Sequence, residues 1–119
     1  MNVSEQHSFA QAPRAERIAQ LNDQLRKTGR CGQVMLTQGV RAVEGFDAGT
    51  LVAALATYDQ FDENNDPHGE RDCGGLDYLG CELLWKIDYY DPALEYGSSD
   101  PADPDVTTRV LTIMLAEEY

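Results

Sequence analysis

The chain has 119 residues, which is room for one domain with one core. An apolar fraction of 42% suits a folded globule, while 21 acidic against 9 basic residues give a net charge of -12 that repels nucleic-acid phosphate and anionic membrane surfaces. Basic partners, cations or plain solubility are the uses left for such a charge.

Residues 1–13 are polar and aperiodic and read as a flexible tail, with one α+β domain over 14–119. The opening MNVSEQHSFAQAP lacks the cationic and apolar regions of a secretory signal. The longest apolar run, Leu51 to Ala56, is too short to span a bilayer. Pro13 suits the first turn of a helix, and Ile18, Leu21 and Leu25 form one apolar stripe ending near Lys27 and Gly29. Arg17 and Arg26 are expected on the wet side of that helix. Gln33 to Val40 reads as a strand between glycines. Asp47 is a suitable N-cap for a second helix, stapled by Phe46 and Leu51 and buried through Leu51, Val52, Leu55 and Tyr58.

From Asp59 to Gly74 the periodicity stops, and a long irregular loop is predicted. A hairpin then turns at Leu79-Gly80, joining Leu76–Tyr78 to Glu82–Tyr90, with Leu83, Trp85, Ile87 and Tyr89 as its core face. Leu94 to Tyr96 fits a short further edge strand. Asp103 or Asp105 would cap a final helix carrying Val106, Val110, Ile113 and Met114 on its buried side. The predicted fold is α+β: a small antiparallel sheet with about three helices packed on one face.

Charge is unevenly spread. Between Glu44 and Asp105 there are 16 acids and two bases, Arg71 and Lys86; the first 43 residues hold six bases and three acids. The acids Asp59, Asp62, Glu63, Asp66, Asp100, Asp103 and Asp105 are the candidate surface for a basic protein partner. Asp62-x-Asn64-x-Asp66 matches the opening of an EF-hand loop, yet Pro67 and Cys73 stand where Gly and Glu are required. Asp66, His68, Glu70 and Asp72 could converge on a metal if their segment were extended; turn chemistry explains the same residue types without one. No catalytic motif is present, and Cys73 shows no sign of being an activated thiolate. The three cysteines, Cys31, Cys73 and Cys81, lack a CxxC pair and fit reduced thiols in a cytoplasm. No cofactor, enzymatic activity, direct nucleic-acid binding or membrane association is expected.

The stretches VMLTQGV, NDPHGERDCG, LLWKIDYYD and GSSDPADPDVTTRVLTIMLAEEY resemble a bacterial family catalogued as domain of unknown function 3768. The resemblance runs from about Arg14 to Tyr119 and implies a plasmid-related setting, mainly in alphaproteobacteria. The family's usual loop is closer to DPHGEHDFG, so Arg71 and Cys73 depart from it, and the loss of a second histidine weighs against a metal. With the acidic charge, that setting points to an anti-defence inhibitor (anti-CRISPR or antirestriction). Such a protein would bind a host defence nucleoprotein complex directly or by DNA mimicry. A metal-binding module or metal-dependent enzyme around His68 is the alternative.

Overall fold

A computed structural model describes residues 12–119. Most of the expected 1–13 tail lies outside those residues. Helix α1, Arg14–Thr28, follows Pro13 and stops at Gly29, whose φ of 70° lets its amide return to the Leu25 carbonyl. Strand β1, Gln33–Leu36, is shorter than its sequence suggests. Thr37 ends it by turning its hydroxyl to the Val40 amide, which caps the one-turn helix α2, Gln38–Arg41. Helix α3, Ala48–Ala56, starts as expected at Asp47, whose carboxylate accepts from the Gly49 and Thr50 amides.

The hairpin comprises β2, Cys73–Tyr78, and β3, Cys81–Tyr90. Both turn residues have positive φ, 51° at Leu79 and 80° at Gly80, the twist a two-residue hairpin loop requires. Strand β2 begins earlier than expected, at Cys73, because Gly74 and Gly75 pair with Trp85 and Leu84. Cys81 lies opposite Tyr78 as the register predicts, and all three cysteines are free.

The final element overturns the helix expected there. Residues Thr108–Leu115 form strand β4, and Asp103 caps only a single 3₁₀ turn, Pro104–Val106. Val106, Thr107, Thr108, Val110, Thr112 and Ile113 make this segment rich in β-branched side chains, which lose rotamer freedom in a helix and pack well on a sheet. The spacing of Val106, Val110, Ile113 and Met114 satisfies a helical period, while Leu111 and Ile113 satisfy that of a strand equally well. Leu94–Tyr96 is a turn rather than a strand, leaving one bridge between Tyr90 and Gly97.

The sheet order is β1-β4-β3-β2. Strand β4 is antiparallel to β3, but β1 is parallel to β4, so the sheet is mixed and mostly antiparallel. Ile113 sits between Trp85 and Leu36 in this register. Leu83, Trp85, Ile87, Leu111 and Ile113 line one sheet face and join Leu25, Leu51 and Leu55 of the helices in a single core. Burying each large side chain contributes about 1.5–3 kcal/mol. Two expected positions differ: Val52 is 51% exposed, and Arg26 is buried rather than wet. Arg26 is tolerated inside because its guanidinium donates to the Leu55 and Tyr58 carbonyls and pairs with Asp23. Arg17 is half-buried.

Candidate functional site

The long loop between α3 and β2 is built from its own polar side chains. Tyr58 and Phe61 anchor its start against Trp85, with ring centroids 5.4 and 6.0 Å away and edge-on geometry. Gly74 makes this possible: a Cβ there would lie 2.5 Å from the Tyr58 hydroxyl oxygen and 2.9 Å from Trp85 Nε1. Asp62 then closes a turn, its Oδ1 accepting from the Asn64 and Asn65 amides at 2.8 and 3.0 Å. Asn65 returns the favour through Nδ2 to the Gln60 carbonyl. Asp66 accepts from the Arg71 amide at 3.0 Å, which supports Arg71 at its unusual φ of 51°.

Arg71 fastens the loop to α1. Its Nε donates to both oxygens of Asp23 at 3.1 and 3.0 Å, and its terminal nitrogens reach Glu16. Burial opposes its charge, but the hydrogen bonds to Asp23 and Glu16 outweigh that and raise its pKa. Asp23 also holds Arg26 at 2.8 Å, so one carboxylate bridges the loop cation and a core cation.

Beneath Arg71 lies a buried polar network. Asn22, fully buried, donates to the Glu70 carbonyl at 3.0 Å and the Tyr89 hydroxyl at 2.8 Å, while its Oδ1 accepts from Arg109 Nε at 2.8 Å. The Tyr89 hydroxyl donates onward to Glu70 Oε1 at 2.9 Å. Arg109 stacks over the Tyr89 ring, 5.1 Å from its centroid, and donates to the Pro101 carbonyl. Burial is the main cause that pushes the Tyr89 phenol well above its ordinary range, with the Glu70 charge adding to it. Burial also lowers the pKa of Arg109.

The seven carboxylates singled out from the sequence fall in two groups. Asp59, Asp62 and Glu63 are exposed on the loop, with Asp66 half-buried beside them. Asp62, Glu63 and Asp66 share one open depression of about 510 Å³ with Glu16, His68 and Arg71. Asp100, Asp103 and Asp105 stand in the turn before β4, where Asp100 pairs with Arg14 at 3.1 Å and caps the Ala102 amide. The amide and Arg14 together hold the Asp100 carboxyl below its usual range.

Asp66, His68, Glu70 and Asp72 are not brought to a common point. Glu70 turns inward to Tyr89, Asp66 is held by the Arg71 amide, and His68 is exposed. Among the described residues no three His, Cys, Asp or Glu side chains gather in a way that could hold a metal ion. Burial, then Asp72 and Asp66, push the Cys73 thiol up, away from thiolate reactivity. Burial likewise raises the Asp72 carboxyl, with Glu70 and Asp66 adding to it.

Sequence reasoning missed the Asn22–Tyr89–Glu70–Arg109 network, since four residues so distant in sequence carry no shared local signal. It also missed Asp77 and Glu82, which lie directly opposite each other beside the hairpin turn. That pairing was derivable, because the Leu79-Gly80 turn fixes the register.

Together these features define a small α+β protein whose long loop displays carboxylates on a clamped scaffold. Residues 36–118 match the model of the family described as "Protein of unknown function (DUF3768)". The chain belongs to that family, whose description names no catalytic activity. No curated protein and no solved structure matches it. Among the described residues no helix is long and apolar enough to cross a membrane.

Proposed function

We propose that this is a non-catalytic, cytoplasmic interaction protein that binds the basic surface of a partner through its carboxylates. The partner class we favour is a host defence nucleoprotein complex, engaged where it would otherwise hold nucleic-acid phosphate. The observation that carries this reading is the clamped acidic loop. Asp62 and Asp66 are fixed by backbone amides and Arg71 ties their loop to α1, so these two carboxylates are presented in a set arrangement, with the exposed Asp59 and Glu63 on the same loop. Preorganised charges lose less entropy on binding than mobile ones. The turn carboxylates Asp100, Asp103 and Asp105 are the second acidic group that this reading assigns to the partner.

The test is competition with DNA for a defence nuclease complex, followed as a function of salt. Binding should weaken steeply as ionic strength rises, because complementary charges are screened over about 8–10 Å. The triple variant Asp62→Asn, Glu63→Gln, Asp66→Asn keeps an oxygen acceptor at both turn positions. It should therefore lose partner binding at least tenfold while its unfolding midpoint does not fall. Full retention of inhibition by that variant would leave the acidity as a solubility device.

A further inference from the structure

We propose that the free edge of β2 takes up an extended, lysine- or arginine-rich peptide by strand addition, in the groove between β2 and the end of α3. Among the described residues β2 is an edge strand, paired on one side only, with β3. The Ile87 amide donates to the Asp72 carbonyl, and bonding alternates along an antiparallel pair. Gly74, Leu76 and Tyr78 therefore bond to β3, while the backbone groups of Cys73, Gly75 and Asp77 point to the open side. The Gly75 amide meets the Tyr58 hydroxyl. The Gly75 carbonyl and both backbone groups of Asp77 bond to nothing among the described residues. An unpaired donor and acceptor on one residue form the unit that an added strand completes.

A groove of about 610 Å³ runs along this edge, walled by Ala54, Thr57 and Tyr58 on one side and by Gly75 and Leu76 on the other. Gly75 adds no side chain to obstruct it. Among the described residues its charged lining is Asp59, Asp77 and Glu82, with no lysine or arginine. Asp77 and Glu82 are cross-strand neighbours, an arrangement in which like charges repel. A cation from an incoming strand would relieve that repulsion, and side chains at alternate positions of an extended peptide would all reach the same wall. Backbone pairing thus selects an extended segment and the lining selects a basic one. This surface shares only Asp59 with the loop carboxylates, and the inference stands whether or not the loop engages a partner.

The experiment titrates the full chain into a fluorescein-labelled peptide of alternating lysine and threonine, by anisotropy, with backbone amide spectra followed by NMR. We expect saturable binding that shifts and protects the Asp77 amide. Asp77→Asn with Glu82→Gln should weaken it at least fivefold. Two further peptides, N-methylated at alternate residues in the two possible registers, separate strand pairing from charge: one of them should bind at least tenfold more weakly. The triple variant at Asp62, Glu63 and Asp66 should bind the peptide like the parent. The proposal is overturned by any of four results: no binding, equal binding of both methylated peptides, undiminished binding by the Asp77/Glu82 variant, or a comparable loss in the loop variant, which would place the peptide on the loop.

Discussion

Asn22 shows what a single side chain contributes here. Its amide uses both ends, donating to Glu70 and Tyr89 and accepting from Arg109, so it joins α1, the long loop, β3 and β4 at one buried point. Asn22→Ala removes the acceptor of the buried Arg109 Nε, leaving the guanidinium its bond to the Pro101 carbonyl, and should cost about 1.5–3 kcal/mol in denaturant unfolding, the range for a hydrogen bond to a charged group. Tyr89 gives a pH signature for the same network. Its folded pKa is raised and its unfolded value is about 10, so the unfolded chain releases this proton first. Stability from this group is complete below about pH 10 and is lost as pH climbs towards the raised folded value. The slope should stay under about 1.4 kcal/mol per pH unit, because a single proton is involved. Tyr89→Phe should flatten that alkaline loss; an unaltered slope in the variant would show that other groups cause it.

Among the elements, β3 and β4 show how far a sequence can be read and where it stops. Strand β3 was legible because Leu83, Trp85, Ile87 and Tyr89 alternate with Leu84, Lys86, Asp88 and Tyr90, a set more polar as a whole, and Leu79-Gly80 supplies the turn. Helix α3 was legible through Asp47, whose cap is a local event. Strand β4 was not, because apolar residues occupy both of its faces: Leu111 and Ile113 enter the core while Met114, on the opposite face, is also buried. A segment apolar on both sides loses the two-residue period that identifies a strand. The parallel pairing of β1 with β4 was equally hidden, since it depends on which distant strands meet. The loop carboxylates were visible as residue types, whereas their fixation by Arg71 depends on α1 and could not be read locally. Burial at Ile113 survives the change of element. Ile113→Ala should cost about 2–4 kcal/mol, because its side chain packs beside Trp85 with no solvent exposure to relax into. Val110→Ala, on the half-open opposite face, should cost less than half as much, and equal losses at the two positions would contradict the register.

For the molecule as a whole, the question is whether its charge helps or opposes folding. Among the described residues only Glu16, Asp23, Asp88 and Asp100 form ion pairs with a lysine or arginine. The remaining carboxylates contribute to a net charge of -12 that the compact state concentrates and the unfolded chain spreads out. Salt acts on both sides of this balance. It screens the self-repulsion, which stabilises the fold, and it weakens the Arg71 and Arg14 pairs, which destabilises it. Those pairs are at least partly exposed and therefore weak, so the repulsion should win. Raising sodium chloride from about 0.01 M to 0.1 M shortens the screening length from roughly 30 to 10 Å and should raise Tm by about 2–5 °C. The triple variant Asp62→Asn, Glu63→Gln, Asp66→Asn, carrying three fewer negative charges, should show a smaller rise from a Tm at least as high. A Tm that falls with salt in the parent protein would mean that the Arg71 clamp and its neighbours outweigh the net charge. The loop carboxylates would then be held in place by cations of the chain itself, which would reduce their capacity to attract those of a partner.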